Sequence, residues 1–268
     1  MRVKVSFLVD NRCGGNKLER EHGFSCLLEV DDFKLLIDMG ETDLFLKNAK
    51  KMKVDLDSVK NAVITHGHYD HGGGASHLRE KDIYVHRRAF QKRFKPPFKH
   101  WGIKDETFAL ENMDKNNFIF VENNVRLNDK VWLLANIPMV HPFEKGYYGI
   151  LENNERDLIE DEISVAVVTD KGLVVISGCA HRGICNTVDY AKTVTGVSHV
   201  HAVVGGFHLG MITKQWDETA EETLEYFKTN RVDSLIMAHC NIDEVITEFK
   251  KQLPDVVKTV FVGSCFVL

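Results

Sequence analysis

Thr65-His66-Gly67-His68-Tyr69-Asp70-His71 constrains this chain more than any other segment, because it sets three histidines and an aspartate within residues 66–71. A short apolar stretch, Asn61–Thr65, runs straight into it, and Gly72-Gly73-Gly74 follows. In extended backbone the side chains at i and i+2 point the same way, so His66 and His68 can address one cation. Asp70 and His71 begin the next helix and can turn toward a second cation beside the first. Imidazole nitrogen and carboxylate oxygen are ordinary donors for zinc and similar ions. The plain alternative is a polar loop with a chance run of histidines. The strand before the cluster and the glycines after it argue against that alternative.

Around this cluster the pattern predicts strands at Val3–Val9, Phe24–Val30 and Phe33–Ile37, a helix at Thr42–Met52, a helix from about Gly72 to Arg79, and a strand at Ile83–Val85. The stretch 86–161 is less regular. It carries Arg87, Arg88, Lys92, Arg93, Lys95 and Lys99 around a Pro96-Pro97 breaker, and it ends in the polar run Glu152–Asp161. We expect substrate-facing loops here, and the basic run itself is either a patch for a substrate phosphate or carboxylate or, the preferred reading, a solvated face. From Ile163 regularity returns. Strands at Ile163–Thr169 and Leu173–Ser177 flank a hairpin turn at Asp170-Lys171-Gly172. Next come a helix at Ile184–Thr195, a strand at His199–Val204, a helix at Trp216–Lys228, a strand at Ser234–Ala238, a helix at Asp243–Lys250 and a strand at Val256–Val262. A strand-rich first half and an alternating second half suit an α/β fold of two packed sheets with helices outside, an αββα sandwich, in a single domain spanning 1–268.

Charge narrows the partners. With 34 basic against 39 acidic side chains the net charge is -5, which argues against a general nucleic-acid binder. The apolar runs are too short for a membrane span or a signal peptide, so the expectation is a cytoplasmic protein with neither membrane nor nucleic-acid partner. The six cysteines (Cys13, Cys26, Cys179, Cys185, Cys240 and Cys265) form no CxxC pair and read as reduced thiols. Cys179 and Cys240 stand apart because each closely neighbours a histidine at the end of an apolar run.

THGHYDHGGG resembles the HxHxDH motif of the metallo-β-lactamase superfamily, and the likeness continues along the chain. Leu35-Leu36-Ile37-Asp38-Met39-Gly40 is similar to that superfamily's first motif, in which an aspartate at a strand end orients the metal site. Val9–Asn11, Glu21–Ser25, Ser177–Asn186, Gly205–Leu209 and Ala238–Cys240 resemble the branch described as 7,8-dihydropterin-6-methyl-4-(β-D-ribofuranosyl)-aminobenzene-5'-phosphate synthase. The resemblance implies a binuclear site for two divalent metal ions, zinc first, with iron or manganese as alternatives. His66, His68, Asp70, His71, His181 and His239 would be the ligands, and Asp38 would act from behind them. Where the superfamily commonly has a metal-bridging aspartate after Gly, this chain has Gly178-Cys179. Either Cys179 is a thiolate ligand, or it is structural and His181 supplies the donor, which is the preferred reading. His141 is a rival to His181 as third ligand of the first metal.

The function this implies is a hydrolase in which metal-activated hydroxide attacks a small anionic ester or phosphoester, with Asp70 as ligand and orienting group. Arg182 suits an anionic group on the substrate. His208 contacts substrate or takes part in catalysis, or is simply a satisfied buried histidine. Cys240 reads as a packed thiol, because adjacent residues rarely point at one ion. A metal-dependent transferase of pterin metabolism is the second reading, and a non-catalytic protein that binds a ligand at its metal site is the third.

Overall fold

Strand pairing sorts the described residues into three sheets. In a computed structural model, which describes residues 1–15, 17–95, 99–104, 114–144, 149–211 and 213–268, the contacts divide it into two compact units. The first comprises Met1–Glu122, Tyr148–Asp161 and Phe261–Leu268, the second Asn123–Tyr147 and Glu162–Val260.

The first unit is built on β1 (Val3–Val9), β2 (Ser25–Val30), β3 (Phe33–Ile37), β4 (Asn61–Ile64), β5 (Asp82–Val85), β8 (Asn117–Phe120) and β18 (Cys265–Val267), in the order β18-β1-β2-β3-β4-β5-β8. Pairing is antiparallel from β18 to β3 and parallel from β3 to β8. Helix α1 (Leu44–Met52) packs on β1, inserting Phe45 and Ala49 into a core with Leu8, Leu36, Ile64 and Ile83. A second, four-stranded sheet is made of β6 (Arg93–Lys95), β7 (Lys99–His100), β11 (Gly149–Leu151) and β12 (Arg156–Asp157). It falls in the stretch that the sequence left irregular. The Pro96-Pro97 breaker lies outside the described residues.

The second unit orders β17 (Val257–Thr259), β16 (Ser234–Met237), β15 (Val200–Gly205), β14 (Gly172–Ser177), β13 (Ser164–Thr169), β10 (Val131–Leu134) and β9 (Val125–Arg126) side by side. Here β14 to β17 are parallel and β9 to β14 antiparallel. The β13–β14 hairpin pairs Thr169 with Gly172, which adopts a φ of 129° that favours glycine. Helices α3 (Ile184–Thr195), α4 (Glu218–Asn230) and α5 (Asp243–Gln252) bury Val188, Leu224, Phe227 and Phe249 in a core with Val175, Val203 and Leu235. Helix α4 starts where Asp217 accepts the amide of Ala220, an ordinary N-cap. Helix α3 has no such side chain at Gly183. The buried carboxylate of Glu144 takes the amides of Cys185 and Asn186 instead, both at 2.8 Å. Burial pushes the Glu144 carboxyl above its ordinary range, and those two amides pull it back.

Two expected elements differ. The helix expected over Gly72–Arg79 is a short α2 (Tyr69–Gly72) followed by a tight 3-10 turn, Gly73–His77. Backbone approach explains this: a Cβ on Gly73 would meet the Glu41 carbonyl at 2.7 Å. The last expected strand, Val256–Val262, is only Val257–Thr259, and Cys265–Val267 pairs with β1 instead. Among the described residues no helix is long and apolar enough to cross a membrane.

Candidate metal centre

Parallel strands put their C-terminal ends, and the turns that follow, at one edge of a sheet. In the first unit that edge carries Asp38 after β3 and the histidine cluster after β4. Asp38 is fully buried in a left-handed conformation, φ 54°, which an aspartate tolerates better than bulky residues. Its amide bonds the Val63 carbonyl, and its Oδ1 accepts the amide of Thr65 at 2.7 Å. Its Oδ2 faces both Thr65 Oγ1 and His71 Nδ1, each at 2.7 Å.

That chain of contacts assigns protons. A carboxylate only accepts, so the Thr65 hydroxyl donates to Asp38 and accepts from His66 Nδ1–H at 3.0 Å. His71 donates its Nδ1–H to Asp38 likewise. Both imidazoles thereby keep the lone pair on Nε2, which is the form in which histidine binds a cation. His66 Nε2 lies 2.8 Å from His68 Nδ1, and the His66 and His71 ring centroids are 4.1 Å apart. Asp70 Oδ2 lies 3.8 Å from His71 Nε2 and 3.3 Å from His22 Nε2. All four predicted donors of this unit are buried. Imidazole nitrogen and carboxylate oxygen are both donor types that a divalent cation takes.

The loop is held from outside. Gly67 N–H donates to Asp161 Oδ2 at 2.7 Å, and Asp161 Oδ1 receives Arg93 Nη2 at 2.7 Å. Arg93 is wholly buried and also faces Asp157 at 3.3 Å. This corrects one sequence expectation: Arg93 is not part of a solvated basic face. Asp157 and Asp161, at the end of the polar run, are buried as well. Trp101 adds a lid to His68, its ring stacked at 4.0 Å, while its carbonyl accepts the amide of Tyr69. His22, Trp101 and Asp161 were not singled out in the sequence, and Thr65 was named only as the first residue of the histidine motif. His22 and Thr65, each inside a recognised motif, carried a signal.

In the second unit the same rule gathers Gly178–Arg182 after β14, Gly206–Leu209 after β15 and Ala238–Asn241 after β16. Ala180, His208 and His239 all have positive φ, at 54°, 55° and 46°. Non-glycine residues in this region are uncommon and tend to cluster at functional sites. Glu162 fixes the first turn by accepting the amides of His181 and Arg182, each at 2.7 Å. Asn241 staples the others through Gly205 O, Ala238 O and Phe207 N. His181 and His239 are 2% exposed, and the ring of half-buried His208 lies 4.5 Å from that of His181. Arg182 gives its Nε–H to the Ile137 carbonyl, which orients the guanidinium. Cys179, His239 and Cys240 form a group whose donor atoms all lie within 4.8 Å of one another. Cys240, expected as a packed thiol, is thus brought together with His239 and Cys179. His141, the rival ligand, instead bonds Asp189 at 2.9 Å and, among the described residues, joins no group of converging donors.

Comparison with known proteins gives this geometry a context. A model of the metallo-β-lactamase superfamily matches residues 18–194. A 7,8-dihydropterin-6-methyl-4-(β-D-ribofuranosyl)-aminobenzene-5'-phosphate synthase of Methanocaldococcus jannaschii is 30% identical over 89% of this chain and 87% of its own length. An uncharacterized protein of the same organism is 26% identical over 92% of this chain and 94% of its own. The crystal structure of Tm1679, described as a metal-dependent hydrolase of the β-lactamase superfamily, superposes with a TM-score of 0.85 at 30% identity, covering 98% of each chain. The metallo-β-lactamase fold protein YhfI from Bacillus subtilis shares the fold at a TM-score of 0.60 and 12% identity, over the full length of both chains. The α/β, metallo-β-lactamase-like fold expected from the sequence is the fold found.

Proposed function

This chain belongs to the metallo-β-lactamase superfamily, and from that premise we propose that it is a metal-dependent hydrolase acting on a small anionic ester or phosphoester. The observation that carries the reading is the Asp38–Thr65–His66 and Asp38–His71 hydrogen-bond chain, which leaves buried Nε2 lone pairs on two clustered imidazoles. A buried carboxylate that spends its bonds on fixing histidine tautomers is the outer support usual for metal ligands. We assign His66, His68, Asp70, His71, His181 and His239 to two divalent cations, zinc first, with iron or manganese as alternatives. Bound there, the cations would polarise the substrate and acidify a water to near neutrality.

The remaining residues have separate duties in this reading. Asp38 retains the proton on His71 Nδ1 and fixes that ring. Asp70 orients the attacking water. Arg182, its guanidinium oriented by the Ile137 carbonyl, pairs with the substrate anion. His208, half-buried beside His181, faces the substrate and holds or delivers a proton.

The test is turnover of a generic phosphodiester and a generic lactone by the metal-replete protein, its chelated form and a His66→Ala variant. We expect hydrolysis that chelation abolishes and the variant lacks. Equal turnover in all three would contradict the assignment. The 30% identity to the dihydropterin synthase favours a second reading, a metal-dependent transferase of pterin metabolism. Product analysis with a dihydropterin donor and a ribofuranosyl-aminobenzene phosphate acceptor separates the two. A metal-loaded protein inert in every assay would instead be a ligand-binding member.

A further inference from the structure

Within the second unit, Cys179 and Cys240 answer to a different chemistry from the histidine cluster. Cys179 lies two residues past the end of β14, and Cys240 three past the end of β16. The two strands flank β15, and their ends are level, since Ser177 pairs with Gly205 and Gly205 with Met237. Both thiols are buried, at 3% and 2% exposed, and so is His239 at 2%. Consecutive side chains normally diverge, yet His239 and Cys240 both reach Cys179. The left-handed backbone of His239, φ 46°, bends the chain at that point, and the donor atoms of all three residues fall within 4.8 Å of one another.

The surroundings are shaped for sulfur. Gly206, the first residue after β15, lies beside both cysteines. A Cβ there would stand 2.5 Å from Cys240 Sγ and 3.2 Å from the Cys179 Cα, so only glycine leaves this space. The amide of His208 points at Cys240 Sγ at 3.3 Å. The Cys240 thiol in turn reaches the Cys179 carbonyl at 3.7 Å, which draws the two cysteines together; deprotonated, such thiols bind metal.

We propose that Cys179, His239 and Cys240 together hold one of this protein's cations, in a position with two thiolates and one imidazole. This rests on the reading of the chain as a metalloprotein and specifies which cation that position takes. Thiolate donors select zinc and other thiophilic ions over magnesium, calcium or manganese. Loading it releases the two thiol protons to solvent, so uptake strengthens as pH rises. Three protein donors leave a fourth tetrahedral position open, as in zinc sites that bind substrate or water.

X-ray absorption at the zinc edge of the reduced, full-length protein tests this without any variant. We expect a sulfur shell at about 2.3 Å beside nitrogen and oxygen at about 2.0–2.2 Å. A shell of nitrogen and oxygen alone overturns the proposal. Cobalt(II) titration gives the second readout: a thiolate-to-cobalt charge-transfer band that weakens in Cys240→Ala and vanishes in the Cys179→Ala/Cys240→Ala double variant. We expect zinc affinity in Cys240→Ala to fall by at least about 10–100-fold. A band that survives the double variant sinks the thiolate site. Should nitrogen and oxygen alone surround a zinc that still supports turnover, the hydrolase reading stands and this proposal fails. A protein that takes up neither zinc nor cobalt refutes both.

Discussion

Asp38 shows how much one buried carboxylate can organise. It spends Oδ1 on the Thr65 amide and Oδ2 on the Thr65 hydroxyl and His71, so its loss frees two imidazoles at once. Replacing it with alanine should weaken metal affinity by about 10–100-fold, measured by competition with a chromophoric chelator. Unchanged affinity would remove Asp38 from its supporting role. A strand-end aspartate was legible in Leu35–Gly40, and so were the candidate donor types in residues 66–71. The convergence of His239 and Cys240 was not, because it depends on the backbone turning left-handed at a histidine, and no local composition announces that. Glu162 and Asp161 were equally hidden. Acidic residues in a polar run look like surface until the fold aims them at the His181, Arg182 and Gly67 amides.

At the scale of elements, the small β6–β7–β11–β12 sheet and the tail that follows it clamp the histidine loop through buried Arg93. Removing one member of a buried ion group leaves its partners charged and unpaired. Arg93→Ala should therefore cost about 3–5 kcal/mol, read from urea unfolding, through the stranded Asp157 and Asp161 carboxylates. A loss below about 1 kcal/mol would mean that these carboxylates are neutral or solvated. The sequence could not show this, since all four strands in that sheet are two or three residues long and β6 finds β11 over fifty residues away. Longer elements with caps were readable: α3 ends at Thr195 because Gly196, at φ 73°, takes the left-handed C-cap.

Helices α3 and α4 share a second polar cluster, centred on Asp189. Burial pushes that carboxyl up, but hydrogen bonds from Tyr226, His141 and Lys192 outweigh it and hold the carboxyl below its ordinary range. A depressed carboxylate adds stability above its unfolded value of about 3.9 and loses it as pH falls through the folded value. Asp189→Asn should then be less stable than the parent at pH 7, with the gap closing below about pH 4. A gap independent of pH in urea unfolding would contradict that assignment.

For the whole molecule, both units follow one rule: parallel strands deliver the candidate turns to their C-terminal edges, and the proposed cations would then be a binding partner of the folded state. Removing them should lower the melting temperature. The stabilisation lost is about 2.7 kcal/mol for a cation present at a hundredfold excess over its dissociation constant. Calorimetry before and after chelation would show it, and coincident melts would contradict it. The overall α/β class was legible because strand-like runs such as Val3–Val9, Ser164–Thr169 and Gly172–Ser177 are followed by alternating helices and strands from Ile184 onward. The division of contacts into two units was not, because residues 149–161 and the C-terminal strand rejoin the first unit across great sequence separations.

The most direct test of the central claim is elemental analysis of the purified, metal-replete protein. We predict about two equivalents of divalent metal per chain, zinc foremost. A protein that holds no metal under those conditions would contradict the account at its root.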